Sequence, residues 1–170
     1  MLPFEKVSWR SKALLNTGAA IVVAAMIVGS WPERRPFALF RSNLSGQWIL
    51  KEDVREARLR FANLTGARLS DAYLQLANLR GTNQTGANLI VANLRFADLT
   101  GADMRDANLT GADLSGVDFS LANLSVANLS GADLSGANLT GAKNLTQEQL
   151  DKACGNADTK PPGGLTLKAC

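Results

Sequence analysis

The sequence predicts an all-β solenoid, in which one chain winds into stacked coils, and three column patterns lead to this fold class. A five-residue period runs without insertion from residue 57 to residue 142. Alanine occupies 16 of the 18 positions that begin a unit, and leucine occupies 14 of the 17 positions two residues later. The residue between them is Asn or Asp in 14 of 17 units. The repeat therefore alternates apolar, polar and apolar over three residues, as an extended segment with one buried face does.

A five-residue period excludes a single helix and a single strand. On a helix, five steps rotate the apolar pair by about 140° and spread it around the axis. In one flat strand, an odd period sends alternate units to opposite faces. The last two positions of each unit are rich in Ser, Thr and Gly, which suit a turn. One short side and one corner per unit give a coil of polygonal section that stacks on itself every ~4.8 Å.

Composition excludes several classes of active site. The 170-residue chain contains no histidine, so a Ser-His-Asp triad and histidine-bearing zinc sites are impossible. Its two cysteines cannot build a four-cysteine zinc site. A net charge of +3 is typical neither of an acidic mimic of nucleic acid nor of a strongly basic nucleic-acid binder. We therefore expect no catalytic, cofactor-binding or metal-binding residues.

Units such as 107–111 (ANLTG) and 132–136 (ADLSG) resemble the A(D/N)LXX units of the pentapeptide-repeat family. The resemblance covers residues 57–142. It implies a right-handed quadrilateral β-helix in which four units make each coil. The alanine and leucine columns would point inward and fill the interior. The resemblance also raises an alternative function, since the best-known members imitate DNA and bind type II topoisomerases.

The amino-terminal part predicts a membrane anchor. Residues 13–31 carry no charge and are mostly apolar, and a helix of this length spans about 28 Å. Trp9 and Trp31 would lie near the two headgroup layers. We therefore expect a cytoplasmic segment at 1–12 and one transmembrane helix at 13–31. A cleaved signal peptide and a buried core helix remain alternatives.

One face of the expected transmembrane helix could pair with another helix. Gly18, Val22, Ala25 and Gly29 line a single helical face, and small residues there permit close backbone approach. The alternative is an alanine-rich helix that contacts only lipid.

The segments that flank the repeat are expected to close the solenoid. Residues 32–56 keep the five-residue register of apolar side chains but lose the motif, which indicates a linker followed by degenerate first coils or a cap. Residues 143–170 begin with a capping-box pattern at Thr146 and predict a short helix at about 147–153. Its Leu150 could cover the last hydrophobic coil. A cysteine-closed loop would follow.

Cys154 and Cys170 are the only cysteines, and they flank a Pro-Pro-Gly-Gly loop. Such an even pair suits a disulfide worth about 3 kcal/mol and an oxidising compartment. Positive charge near the anchor is balanced on its two sides, so the cysteines alone favour a topology. We expect a single-pass protein of a bacterial inner membrane with the solenoid in the periplasm. Two reduced cysteines are the alternative.

Apolar side chains in outward columns predict a partner-binding patch. Leu76 and Phe96 lie four units apart, in one outward column, and Ile90 and Val91 occupy the neighbouring corner. Leu121 and Val126 form a smaller second group. Most units carry small or polar residues at these places, so the apolar choices indicate an interface. The alternatives are coverage by the protein's own cap and scattered surface residues.

Charge changes sign along the repeat. Residues 31–80 hold nine basic and five acidic residues, whereas residues 81–143 hold three basic and six acidic. Attraction to anionic headgroups would follow if the basic part adjoins the membrane, and ordinary surface variation is the alternative. The membrane-proximal basic residues in this interpretation are Arg34, Arg35, Arg60 and Arg80.

Two further features break the columns. Stacking at every fourth unit places Asp98 under Asp118 and Asp113 under Asp133, which could bind a cation or could simply be a solvated face. Thr82 and Gln84 replace Ala and Leu in one unit, which indicates a polar notch or a locally satisfied pair.

The sequence thus favours a non-catalytic, membrane-anchored scaffold or protein-interaction module. Its expected partners are the bilayer and another membrane or periplasmic protein, with no cofactor and no nucleic acid. The alternative is a DNA-mimicking, topoisomerase-binding protein, which would need a strongly acidic cytoplasmic rod.

Overall fold

A computed structural model describes residues 41–48 and 55–170. Parallel backbone bridges occur at every fifth residue, and each joins a residue to its counterpart four units further on, as in Asn63 to Asn83 and Asn83 to Asp103. Four units therefore make one coil, and the predicted β-helix solenoid with four-unit coils is confirmed. The bridges run from Asn43 to Ala169 as single-residue contacts, and the one helix of the described residues, α1, spans Gln147–Asp151.

Backbone hydrogen bonds between coils hold the stack together. Leu64 N donates to Asn83 O at 2.6 Å, and Asn83 N donates to Ala62 O at 3.1 Å. The same pair of bonds recurs from unit to unit along the repeat. Each side of the coil thus satisfies its backbone groups through the coils above and below, which is why a side of only three residues is stable.

Every described corner of the solenoid is a tight turn with a left-handed residue. Ala67 N donates to Leu64 O at 2.9 Å, and Gly66 between them has a φ of +62°. Positive φ at the third residue of a turn is the geometry of type II turns. Described residues at this place in each unit, from Arg41 to Gly141, all have φ between +55° and +69°. The chain therefore changes direction once in every unit.

The alanine and leucine columns fill the interior. The described members from Ala57 to Leu139 are 0–3% exposed, and Met104, Val117 and Phe119 take the same inward positions. The apolar–polar–apolar alternation predicted for each unit is thus confirmed. One continuous core runs along the solenoid, and its volume is filled by side chains.

The polar middle residue of each unit closes the following turn. Asn63 Oδ1 accepts hydrogen bonds from Thr65 N at 3.0 Å and from Thr65 Oγ1 at 2.6 Å. Asp98 makes the same pair of contacts with Thr100. Asn and Asp both present this oxygen, which explains why the column accepts either residue while Ser or Thr follows two positions later.

The chain leaves the repeat after Lys143. Thr146 is the N-cap of α1 and forms a capping box with Gln149, as predicted, and the helix ends at Asp151 rather than near residue 153. Gln149 Nε2 donates to Leu124 O and Ala127 O at 2.8 Å each, and Leu150 is buried in the core. Helix α1 thus lies on the coil that ends at Lys143.

The last residues return to the coil stack and are tied by a disulfide. Cys154 bridges to Asp133, and Ala169 bridges to Gly155 one layer further along. Cys154 and Cys170 are joined, with their Cα atoms 4.8 Å apart. The disulfide expected from the sequence is present.

Several expectations lie outside the described residues. They are the segment 1–12, the transmembrane helix 13–31 with Trp9 and Trp31, and most of the linker before residue 41. In residues 41–48 and 55–170, no helix is long and apolar enough to span a bilayer.

Thr82 and Gln84 form a buried polar pair in the core. Thr82 Oγ1 donates to Leu79 O at 2.7 Å, and Gln84 Nε2 donates to Thr82 Oγ1 at 2.9 Å. Gln84 Oε1 is buried and has no hydrogen-bond partner within the described part of the chain. The pair is therefore satisfied only in part.

Replacing Gln84 by leucine is expected to stabilise the protein. Gln84→Leu removes the unpaired oxygen from the core and restores the column, so the free energy of unfolding should rise by about 1–2 kcal/mol. Chemical denaturation measures this change. Leu64→Gln, in the same column one coil earlier, is the control and should destabilise. A lower stability of Gln84→Leu would mean that Gln84 Oε1 has a partner.

Candidate functional site

The candidate site is the apolar corner patch, defined as Leu76, Ile90, Val91 and Phe96. Leu76 and Phe96 share one corner column, and Ile90 and Val91 lie at the neighbouring corner, one unit before Phe96. Leu76, Val91 and Phe96 each keep 55–57% of their surface exposed, while Ile90 is half-buried. The two corners flank one face of the solenoid.

Three patch residues occupy left-handed backbone positions, with φ of +60° at Leu76, +55° at Val91 and +57° at Phe96. This conformation costs an L-residue with a side chain roughly 1–2 kcal/mol, and it is rarest for a β-branched residue such as Val91. Glycine, which adopts it freely, fills half of the described corners. An apolar side chain here is unfavourable in both backbone conformation and exposure, a combination that points to function.

The Phe96 and Val91 side chains lie along their corner columns toward the carboxyl end. The Phe96 ring covers Gly116 one coil further on, where a Cβ atom would collide with it. Val91 lies over Gly111 with 3.6 Å to the place of a Cβ atom. The glycines that follow Phe96 and Val91 in their columns thus make room for the two side chains.

Polar and aromatic groups border the patch. The Arg95 guanidinium lies 5.6 Å from the Phe96 ring centre, and its Nη1 is 3.6 Å from Asp113 Oδ2. Tyr73 is half exposed at the middle of the face between the two corners. Sequence reasoning missed Tyr73, although its signal was present, because Tyr73 replaces the usual Asn or Asp of its column.

The second apolar group lies near α1. Leu121 and Val126 occupy consecutive corners, and both are exposed. Beside Val126 is a shallow groove of about 490 Å³ whose lining includes Ser130, Asn144 and Lys152. This groove exists because α1 takes the place of a regular unit in the last coil.

The stacked aspartates form the ladder pairs expected from the sequence, Asp98 with Asp118 and Asp113 with Asp133. Partial burial acts to raise the pKa of Asp98, but hydrogen bonds from Thr100 and Arg80 outweigh it and hold that pKa below 3.8. The pKa of Asp133 is also lowered, chiefly by hydrogen bonds from Ser135. Hydrogen bonding thus outweighs the effect of partial burial at these two carboxylates.

One cluster in the described residues has the spacing of a metal site. The ligand atoms of Asp133, Cys154 and Cys170 lie within 4.8 Å of one another. The two sulfur atoms are bonded to each other, so neither is a thiolate that could bind a metal ion. The cluster therefore offers a single carboxylate.

The basic residues have different surroundings. Arg80 Nη1 lies 3.3 Å from Asp98 Oδ2, so Arg80 is ion-paired. Arg60 is exposed, with its guanidinium 5.4 Å from the Phe61 ring centre. Arg34 and Arg35 lie outside the described residues. Arg58 and Arg68, which the sequence interpretation left out, are exposed on sides of the same early coils.

The repeat, its four-unit coils and its filled core define a pentapeptide-repeat β-helix. Pentapeptide repeats match the chain in eight copies, over residues 39–75, 53–89, 87–125 and 102–141. The chain belongs to the pentapeptide-repeat family, whose members are generally structural or interaction modules without catalytic activity.

Solved structures similar to this chain are also pentapeptide-repeat proteins. HetL from the cyanobacterium Nostoc, involved in heterocyst differentiation regulation, is 30% identical over 79% of this chain and 70% of its own, with a TM-score of 0.45. A protein of the Arabidopsis thaliana thylakoid lumen is 27% identical over 71% and 79%, with a TM-score of 0.37.

QnrB1, a plasmid-mediated fluoroquinolone resistance protein, is 17% identical over 71% of this chain and 80% of its own, with a TM-score of 0.40. No curated protein matches the sequence.

The lowered carboxyl pKa values predict a loss of stability in acid. The pKa of Asp98, Asp103 and Asp133 in the folded protein lies below 3.8, so their contribution is complete above that pH. This contribution to stability is lost as the pH falls through the pKa values that the three carboxyl groups have in the folded protein. We expect the urea concentration at the unfolding midpoint to decrease when the pH is lowered below ~4. This decrease should be less steep in Asp98→Asn, whose amide oxygen still accepts from Thr100.

Asp106→Asn removes the same charge from an exposed corner and serves as the control. An unchanged slope in Asp98→Asn would contradict the assignment of the acid sensitivity to Asp98.

Proposed function

We propose that this pentapeptide-repeat protein is a non-catalytic interaction scaffold, held at a bacterial inner membrane by residues 13–31 with its solenoid in the periplasm. The observation that carries the scaffold function is the conformation of the apolar corner patch. Leu76, Val91 and Phe96 are exposed at backbone positions where glycine would be more favourable. Folding alone does not require such residues, so a bound partner accounts for them.

The composition of the patch suits a protein partner. Interface energy concentrates in a few large side chains near the centre of the contact, with aromatic residues and arginine enriched. Phe96 and Tyr73 offer aromatic surface, Leu76 and Val91 add aliphatic surface, and Arg95 lies at the edge over the Phe96 ring. We infer a partner that is another membrane or periplasmic protein with an apolar contact surface.

The filled interior supports an interaction function over an enzymatic one. The inward columns bury leucine, alanine and a few larger side chains, and they leave the outward columns as the surface for chemistry. Those columns carry hydrogen-bonded Asn, Asp, Ser and Thr with no histidine. A reaction on this surface would lack the side chain that most often titrates near neutral pH.

We propose that the carboxyl-terminal segment is the cap of the solenoid. A solenoid needs its last apolar layer covered. Leu150 and Ala153 are buried there, and Leu145, Leu165 and Leu167 pack against the core. The Cys154–Cys170 disulfide then fastens the last strand-like residues to the stack. This cap supports a periplasmic location, since disulfides persist in oxidising compartments.

The membrane tether rests on the uncharged, apolar sequence of residues 13–31. Trp31 and Arg41 are ten positions apart in the sequence, a length that reaches at most about 35 Å. The tether would thus keep the solenoid close to the bilayer. The small-residue face of Gly18, Val22, Ala25 and Gly29 would allow the anchor to pair with another helix.

The alternative function, topoisomerase binding by imitation of DNA, has weaker support. It would draw on the stacked aspartates of residues 98–133. Asp98, Asp103 and Asp113 are each paired with an arginine, which cancels much of the acidic charge. A DNA mimic needs a run of negative charges that are not paired with cations, because each nucleotide of a DNA strand carries one negatively charged phosphate.

Replacing the patch by glycine should abolish partner binding without unfolding the protein. In Leu76→Gly/Phe96→Gly, relief of backbone strain offsets the larger entropy of the unfolded chain, so unfolding should change by less than about 1 kcal/mol. A photo-crosslinking residue at Tyr73 in intact cells should then lose its crosslinked product.

Leu121→Gly is the matched control, since it removes one apolar corner residue outside the patch and should keep the product. Unfolding of the double variant would make the patch structural. Undiminished crosslinking would show that the patch is not the interface.

The periplasmic location predicts access to the cysteines from outside the inner membrane. After reduction of intact spheroplasts, a membrane-impermeant thiol reagent should label Cys154 and Cys170. A Cys154→Ser/Cys170→Ser variant controls for other targets. If labelling needs lysis, the solenoid faces the cytoplasm and the proposed topology is wrong.

A further inference from the structure

Three arginines at the amino-terminal end of the solenoid form what we name the arginine belt, Arg58, Arg60 and Arg68. All three are exposed. Among residues 41–48 and 55–170, the ion pairs join Arg80, Arg95, Arg105 and Lys152 to carboxylates. Within that part of the chain, the belt arginines therefore have no carboxylate partner.

The belt lies on two opposite faces and one corner of the solenoid. Arg58 and Arg68 are two units apart, half of a four-unit coil, so they lie on opposite faces. Arg60 lies at the corner that follows Arg58. A basic surface for one flat partner alongside the solenoid would concentrate these charges on a single face. Their spread over opposite faces suits a partner that contacts the end of the solenoid.

Aromatic side chains accompany the belt. The Arg68 guanidinium lies 4.1 Å from the Trp48 ring centre, and Trp48 and Tyr73 are both partly exposed. From Trp48 to Tyr73 is five units, or one and a quarter coils, which corresponds to about 6 Å along the axis. The headgroup region on each side of a bilayer is about 5–7 Å thick. Trp and Tyr are also enriched at that interface.

The far half of the solenoid carries the opposite charge. Residues 81–143 hold six acidic and three basic residues, and the aspartates lie on several faces of the coils. An anionic surface would attract the belt end and repel the far half. Both forces act along the solenoid axis and align it away from that surface.

We infer that the belt end of the solenoid docks end-on among the anionic headgroups of the bilayer, an inference that rests on the proposed membrane tether. Arg58, Arg60 and Arg68 contact lipid phosphates on two opposite faces and one corner, and Trp48 and Tyr73 lie at headgroup depth. Leu76, Val91 and Phe96 follow directly in the next coils, so the apolar corner patch stands at the membrane surface, where an integral membrane protein can reach it.

The test uses the full chain reconstituted in vesicles of phosphatidylcholine alone or with about one third phosphatidylglycerol. Single labels at Thr65→Cys and Thr140→Cys, with the native disulfide intact, report energy transfer to a headgroup dye. The two positions lie three and three-quarter coils apart, about 18 Å along the axis. In anionic vesicles, the label at residue 140 should therefore lie about 18 Å further from the headgroups than the label at residue 65.

The difference should shrink in phosphatidylcholine vesicles, at high salt and in Arg58→Gln/Arg60→Gln/Arg68→Gln. The control Arg105→Gln/Lys143→Gln/Lys160→Gln removes three charges from the far half and should keep the difference. End-on docking would be overturned if the labels at residues 65 and 140 lay equally far from the headgroups in both lipids. It would also be overturned if the belt variant kept the full difference. Neither result would contradict the membrane tether.

Vesicle flotation separates that outcome from failure of the tether. The full chain should float with phosphatidylcholine vesicles through residues 13–31 alone. A chain that does not float with these vesicles overturns the tether and the docking inference together.

Discussion

The four-unit hydrogen-bond register between coils is the constraint on which the rest of the structure depends. Each side has only about three residues in an extended conformation, and its backbone groups are satisfied by the coils above and below. Such short sides leave no room for an irregular residue, so every unit must end in a left-handed corner. The inward columns are then mostly Ala and Leu, because the interior has one nearly constant width. Outward columns carry no such requirement, and the functional variation is found there.

Much of the fold follows from the sequence because each unit repeats the same short extended side followed by a turn. The inward columns, the Asn or Asp position and the capping box at Thr146 are all readable from spacing and residue type. The left-handed backbone at Leu76, Val91 and Phe96 cannot be read from the sequence. Where another residue replaces the usual glycine, residue type alone does not show that the backbone keeps the positive φ typical of glycine. In the sequence the patch is thus only apolar, whereas in the structure it is also strained.

The charges are harder to predict than the columns. Arg60 and Arg80 share a column in the sequence. Of the two, only Arg80 forms an ion pair with a described carboxylate, because Asp98 lies beside it on the next coil. Arg58 and Arg68 are on opposite faces, which a linear count of charge cannot show. The partial satisfaction of Gln84 likewise depends on side-chain directions inside the coil. Position in three dimensions, rather than residue type, decides these properties.

Helix α1 breaks the arithmetic of the repeat. Asp133 bridges to Cys154 and Asn138 to Lys160, where the strict register would pair them with positions 153 and 158. Before this point, residue number is an angular coordinate, because each unit advances the chain by a quarter turn and four units restore the same azimuth. Gain or loss of one unit between Arg68 and Leu76 during evolution would turn the patch to another side of the solenoid without altering any local structure. The number of units in that stretch thus encodes the direction in which the patch faces.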